Sequence, residues 1–143
     1  MMEEYYRTAI PLFAGARAVA EELLAKGCAL AVASSTPGRL VELSLERHRI
    51  RHMFSHVVSA DDVERGKPAP DIFVRALKLL AIDGHRALVV EDSLPGVLGA
   101  KSAGIRSVWM RNEYTPEAAS HADHIIGSIF ELPGLVAGLE AAR

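Results

Sequence analysis

An apolar run that ends directly at two carboxylates limits the possible folds and functions of this chain more than any other stretch. Residues 87–90 read Ala-Leu-Val-Val, a valine-rich run too short for a helix, and they predict a buried parallel strand. Glu91, Asp92 and Ser93 follow directly. Two acids at the carboxyl end of such a strand lie where open α/β sheets bind ligands, and a cation or hydrogen-bond donors must offset their desolvation. The alternative is an ordinary turn in which Asp92 or Ser93 caps the next helix.

Strand and helix patterns alternate along the whole chain. This alternation predicts an α/β fold with a parallel, doubly wound sheet and right-handed crossovers. The predicted strands are 29–33, 54–59, 87–90, 106–110 and 124–126, and the predicted helices are 14–26, the helix opened by Thr36 and Pro37, 71–80, 96–104 and 130–142.

The bulk composition excludes several classes of function. A length of 143 residues fits one domain, and a net charge of -2 gives no general attraction to nucleic acid. No apolar run approaches the roughly 20 residues of a membrane span, and the acidic start lacks a signal core. The single cysteine, Cys28, excludes an internal disulfide, and we expect a buried, unreactive thiol. We therefore predict a cytoplasmic protein that binds neither nucleic acid nor a membrane.

Further polar residues follow other predicted elements. Ser34, Ser35 and Thr36 end the strand at 29–33, and Lys67 precedes two prolines that stiffen its loop. A stiff loop can aim a lysine as a point charge, although a solvent-facing lysine before a helix is the alternative. Because the carboxyl ends of parallel strands share one edge of a sheet, these groups can converge with Glu91 and Asp92.

Such a set of groups suits phosphoryl transfer. Carboxylates bind Mg²⁺, a hydroxyl at a helix N-terminus binds phosphate oxygens, and a lysine neutralises charge on the transferred group. Other chemistries lack their motifs, since the sequence contains no Gly-x-Ser-x-Gly elbow, no Gly-x-Gly-x-x-Gly after a strand and no Walker loop. A receiver-like signalling domain uses similar groups, but its acids come first in the chain.

At these residues the chain resembles the haloacid dehalogenase superfamily. The resemblance is to the phosphatase and phosphomutase branch, which includes phosphoglycolate phosphatase and β-phosphoglucomutase. Residues 31–36 (Ala-Val-Ala-Ser-Ser-Thr) are similar to the second motif, 66–73 (Gly-Lys-Pro-Ala-Pro-Asp-Ile-Phe) to the third, and 89–97 to the fourth. Three motifs in the right order and spacing, within a likeness from about Pro11 to Leu135, make it specific.

The resemblance implies a three-layer Rossmann-like core and a role for each matching residue. It implies that Ser34 grips the phosphoryl group and that Lys67 neutralises its charge, both as catalytic residues. It further implies phosphate binding by Ser34, Ser35, Thr36 and Lys67, and Mg²⁺ binding by Glu91 and Asp92. The implied substrate is a small phosphorylated metabolite, and the implied activity is Mg²⁺-dependent hydrolysis or mutation of phosphate esters.

One part of the family pattern has no counterpart here. The family's nucleophile belongs to a first motif, Asp-x-Asp-Gly-Thr, on the central strand of a sheet ordered 5-4-1-2-3, and no Asp-x-Asp occurs in this sequence. We therefore expect residues 1–143 to form one core domain without its first central strand or a cap domain, with 1–14 as a remnant of the cap-to-core linker. Alone, such a chain is expected to be inactive and to bind Mg²⁺ weakly or not at all.

The absent strand leaves three structural alternatives. The strands at 29–33 and 87–90 pair directly, a partner chain fills the gap, or the chain is a truncated form of a longer product, which we favour. The alternative function is a non-catalytic binding or interaction protein of the same fold, which forms a homo-oligomer or accepts a partner strand.

Overall fold

The computed structural model describes residues 15–142, so the predicted linker remnant at 1–14 lies outside the described residues. Within this part of the chain, helices and parallel strands alternate, which confirms the predicted α/β class. None of the described helices is long and apolar enough to cross a membrane. The elements are α1 Ala16–Ala25, β1 Ala31–Ala33, α2 Gly38–Arg47, β2 His56–Val58, α3 Asp71–Leu80, β3 Leu88–Glu91, α4 Leu94–Ser102, β4 Arg106–Met110, β5 His124–Ile126 and α5 Leu132–Ala141.

The strands form two separate parallel sheets. One contains β1 and β2, and the other has the order β3-β4-β5. Between residues 15 and 142, β1 pairs with β2 alone and β3 with β4 alone, so each keeps one edge without a strand partner. The alternative in which the strands at 29–33 and 87–90 pair directly is therefore wrong. We call the space between these two open edges the slot.

Helices cover both faces of the two sheets. Successive side chains of a strand point to opposite faces, and on β3 this places Leu88 and Val89 in different hydrophobic clusters. Leu88 packs with apolar residues of α1 and α5, such as Val19 and Leu132. Val89 packs with residues of α3 and α4, and Ala33 at the end of β1 belongs to the same cluster. The result is the expected arrangement of three layers.

The strands beside the slot are less buried than the sequence predicted. Val90 on β3 is 38% exposed, and all three residues of β1 are only half-buried. On β4, which has partners on both sides, Val108 and Trp109 are at most 3% exposed. The prediction of a buried strand is thus wrong for residues 88–90 of β3, and β1 is half-buried in the same way, because an open edge leaves their side chains accessible.

The start of α2 also differs from the prediction of a Thr36 cap. The helix begins at Gly38, and Pro37 occupies the capping position without a side-chain hydrogen bond. The amide of Gly38 instead donates to Asp61 Oδ2 at 2.8 Å. The carboxylate of Asp61, in the turn after β2, therefore caps the N-terminus of α2 in place of a local side chain and links that turn to the helix.

Cys28 is expected to react slowly in the folded chain. Its thiol is half-buried, and desolvation by burial raises its pKa, with a further contribution from the charge of Glu140. Because the thiolate is the nucleophile, a raised pKa lowers the reactive fraction at neutral pH. At pH 8, alkylation of the native chain by iodoacetamide should be several-fold slower than alkylation in about 6 M urea, a concentration that unfolds most small domains. Equal rates in the two solvents would contradict this expectation.

Candidate active site

The carboxyl ends of β1 and β3 face each other across an open cavity of about 680 Å³. The cavity brings together all six residues that the sequence nominated for binding or catalysis, which are Ser34, Ser35, Thr36, Lys67, Glu91 and Asp92. The remaining lining residues are Ala33, Val90, Ser93, Pro95, Met110 and Ile129. Both sides of the slot therefore contribute polar groups to one shared space.

Lys67 links the two sheets at this cavity. Its Nζ donates to the carbonyl oxygen of Ala33 at 3.0 Å and forms a close ion pair with the carboxylate of Glu91. The Lys67 and Glu91 side chains are each only 9% exposed. Nζ also lies 5.2 Å from the centre of the Phe73 ring, within reach of a cation–π contact. The alternative of a solvent-facing lysine is therefore wrong.

Glu91 is held on several sides. Besides the ion pair, its Oε2 accepts a hydrogen bond from Ser93 Oγ at 3.2 Å. Ser93 Oγ in turn accepts from the amide of Gly96 at 3.2 Å, so Ser93 is the N-cap of α4. Both interpretations of this stretch are therefore correct, since the helix is capped by Ser93 and the acids also line a cavity.

Asp92 differs from Glu91 in what its carboxylate contacts. Asp92 is exposed at the cavity, and its carboxylate accepts no hydrogen bond among the residues described. Its backbone carbonyl, in contrast, accepts from Trp109 Nε1 at 3.3 Å, Asn112 Nδ2 at 2.8 Å and Thr115 Oγ1 at 2.6 Å. Sequence reasoning missed Asn112 and Thr115, which lie outside the recognised motifs.

The serine-rich turn after β1 is anchored by the neighbouring strand. The amide of Ser34 donates to the carbonyl of Val58 at 2.9 Å, which continues the pairing of β1 with β2. Ser34 Oγ accepts from the amide of Thr36 at 3.1 Å. The Ser34 hydroxyl donates no hydrogen bond to any other group in residues 15–142. Its hydrogen is therefore available to an anion in the cavity.

Asp61 and Asp62 do not belong to the site. Asp61 accepts from the amide of Gly38, and Asp62 accepts from the amide of Ser59 at 2.8 Å. Of the carboxylates in the described part of the chain, Glu91 and Asp92 line the cavity and these two do not. This agrees with the interpretation that the Asp61-Asp62 pair does not replace the family's nucleophile.

The donor set fits a partial magnesium site. No group of three or more His, Cys, Asp or Glu residues in the described ranges could enclose a metal ion. Mg²⁺ typically keeps several waters and binds through one or two carboxylates, so a full protein cage is not required. The Asp92 carboxylate accepts no hydrogen bond from residues 15–142, whereas the ion pair and Ser93 already occupy both oxygens of Glu91.

Comparison with known proteins defines the class. The chain belongs to the haloacid dehalogenase-like hydrolase family, whose pattern matches residues 1–110. Protein CbbY of Cereibacter sphaeroides is 39% identical over 118 residues, which cover 80% of this chain and 51% of that protein. (DL)-glycerol-3-phosphatase 2 of Arabidopsis thaliana is 34% identical over 140 residues, which cover 92% of this chain and 57% of that protein.

Solved structures agree with this assignment. The crystal structure of CbbY from Rhodobacter sphaeroides in complex with phosphate matches this chain with a TM-score of 0.81 and 37% sequence identity. The match covers 90% of this chain and 59% of the CbbY chain. The chain thus spans little more than half the length of these relatives.

Proposed function

We propose that this chain forms the phosphate-binding and metal-binding part of a Mg²⁺-dependent phosphatase or phosphomutase that acts on small phosphorylated metabolites. One observation supports this most directly. Lys67 is held between the end of β1 and Glu91, in the same cavity as Ser34 and Asp92. Three sequence motifs thus supply one site with a hydroxyl, a cation and an open carboxylate.

The charges in the cavity favour a divalent cation. Lys67, Glu91 and Asp92 together carry one net negative charge, which opposes binding of a phosphate dianion. When bound, Mg²⁺ would supply Lewis-acid stabilisation of a phosphoryl oxygen. Asp92, supported by Glu91, would hold the ion, while the Ser34, Ser35 and Thr36 turn would donate hydrogen bonds to phosphate oxygens. Lys67 would offset the charge on the transferred group.

Catalysis also needs a nucleophile. By its resemblance to the family, this group is an aspartate of an Asp-x-Asp motif, and the 143 residues contain none. The family's sheet order assigns the strand with this motif to a place between β1 and β3, where the slot lies. We propose that such a strand in the slot completes the active site and that the single core domain without it is inactive.

A second candidate is a non-catalytic protein of this fold that accepts a partner strand or forms a homo-oligomer. The observation that favours it is that β1 and β3 each have one edge without a strand partner among residues 15–142, since unpaired edges are templates for pairing with another chain.

Mg²⁺-dependent hydrolysis of p-nitrophenyl phosphate distinguishes these candidates. We expect no turnover from residues 1–143 and clear turnover from a version extended at the N-terminus by a strand containing Asp-x-Asp-Gly-Thr. In the extended version, Lys67→Ala should lower the rate by about 100-fold or more, as is typical for loss of one charge-stabilising group. Lys78→Ala, at an exposed lysine of α3, is the matched control.

Two results would change these conclusions. Turnover by the short chain that disappears in Glu91→Ala or Lys67→Ala would show that it is active alone. An extended version that folds, shows no turnover and forms a stable dimer by light scattering would favour the non-catalytic candidate.

A further inference from the structure

We propose that Asn112 and Thr115 are positioning residues that hold the turn at Asp92 so that its carboxylate is presented to a cation. This inference rests on the proposed function, because it takes Asp92 to be a metal-binding group. We call the three donors to the Asp92 carbonyl, the side chains of Trp109, Asn112 and Thr115, the carbonyl clamp.

The clamp saturates the Asp92 carbonyl. A carbonyl oxygen has two lone pairs, and here it accepts from three side-chain donors, at 2.6 Å from Thr115 Oγ1, 2.8 Å from Asn112 Nδ2 and 3.3 Å from Trp109 Nε1. Any rotation of the peptide after Asp92 would break several of these bonds at once. The backbone direction at Asp92 is therefore fixed from the side of β4.

Asn112 organises the clamp as well as contributing to it. Its Oδ1 accepts from the amides of Tyr114 and Thr115, each at 3.0 Å, which folds the loop after β4 into a compact turn. Its Nδ2 also donates to the carbonyl of Met110 at 3.0 Å. The loop is thus attached both to the end of β4 and to the acidic turn, and it places the Thr115 hydroxyl beside Asp92.

Asp92 needs this support more than Glu91 does. The Glu91 carboxylate is held directly by Lys67 and Ser93, whereas the Asp92 carboxylate has no hydrogen-bond partner in the described part of the chain. Its orientation therefore depends on its backbone. If the clamp is weakened, cation binding must order that backbone, and we expect the Mg²⁺ dissociation constant to rise about 5- to 20-fold, the factor associated with ordering one residue.

A pair of substitutions at Thr115 isolates the clamp. Thr115→Val keeps the shape of the side chain but removes the hydroxyl, which donates to the Asp92 carbonyl and accepts from Trp109 Nε1 at 3.2 Å. Thr115→Ser restores a hydroxyl, and the affinity is taken from the change of the signal on titration within each variant, not from its starting position. Trp109 is the single tryptophan of the chain, and its indole N–H touches the Asp92 carbonyl, so its NMR signal reports directly on the turn. In the version extended at the N-terminus by a strand containing Asp-x-Asp-Gly-Thr, we expect Mg²⁺ to shift this signal, to bind the Thr115→Val variant about 5- to 20-fold more weakly, and to bind the Thr115→Ser variant nearly normally.

Further measurements keep the test decisive. Broadening of the indole signal by Mn²⁺ detects binding that is too weak for a Mg²⁺ titration. Asn112→Ala is the second variant if Thr115→Val does not fold, and it should weaken binding in the same way. Asp92→Asn should abolish the response, which would assign the ion to Asp92.

The outcomes separate the two proposals. Equal affinity of the extended version and its Thr115→Val variant, with the response still abolished by Asp92→Asn, overturns the clamp alone. The absence of any response to Mg²⁺ or Mn²⁺ in the extended version without substitutions, or a response that persists in its Asp92→Asn variant, overturns the metal-binding role of Asp92 and the clamp with it.

Discussion

Replacement of Lys67 by methionine is expected to lower the free energy of unfolding by about 3–5 kcal/mol, the usual effect of removing one partner of a buried ion pair. The substitution would leave the Glu91 carboxylate buried without its cation, and it would remove the hydrogen bond from Nζ to Ala33. Urea denaturation followed by circular dichroism measures the change. The loss is large because both side chains of the pair are almost fully buried.

Two controls separate the ion pair from the general effect of losing a lysine. Lys78→Met, at an exposed position on α3, should change the free energy of unfolding by no more than about 0.5 kcal/mol. The double variant Lys67→Met, Glu91→Leu should be more stable than Lys67→Met alone, because no uncompensated charge then remains buried. If Lys67→Met and Lys78→Met were equally stable, the ion pair would not contribute as described.

The substitution Gly96→Ala is expected to destabilise the fold by about 1–3 kcal/mol through overpacking, and to weaken the ion pair as well. A Cβ atom at Gly96 would lie 2.0–2.4 Å from the carboxylate atoms of Glu91, closer than nonbonded atoms can approach. The carboxylate would have to move, and its contact with Lys67 would weaken. Urea denaturation gives the loss of stability, and the indole signal of Trp109 gives the accompanying change in cation binding.

Gly138→Ala is the matched control for this substitution. Gly138 lies in α5, and no atom of the described residues is found within 4 Å of the place that its Cβ would take. Alanine should therefore stabilise the helix by about 0.5–1 kcal/mol, since glycine loses more backbone entropy on folding. The two glycine-to-alanine changes should thus have opposite signs, and stabilisation by both would show that the space beside Glu91 is not tight.

Local patterns were sufficient for elements with strong flanking signals. The predicted bounds of α3 at 71–80 and of β4 at 106–110 agree with the structure, because regular apolar spacing and buried partners define both. The closing helix begins at Leu132 instead of Phe130, since Ser128 caps a short 3₁₀ turn before it. The strand predicted at 29–33 is shortened to Ala31–Ala33, which lies beside the open slot.

The membership of the site was easier to predict than its contacts. Ser34, Lys67 and Asp92 could be placed together because parallel strands bring their carboxyl ends to one edge. The direct contact of Lys67 with Glu91, and the carbonyl clamp, could not be predicted in this way. They depend on how the loops fold over the sheets and on the register that places Trp109 opposite Glu91, neither of which has a local sequence pattern.

The division of the strands into two sheets also sets the distance between the polar groups that follow β1 and those that follow β3. Ser34 follows the end of one sheet and Asp92 follows the end of the other. If phosphate binds at Ser34 and a cation at Asp92, as proposed above, the width of the slot determines the distance between them. Within residues 15–142, Lys67 spans the slot, because it donates a hydrogen bond to Ala33 on one side and forms an ion pair with Glu91 on the other. A strand hydrogen-bonded to both edges would act as a spacer of constant width. Completing the sheet and aligning the reacting groups would then be a single event.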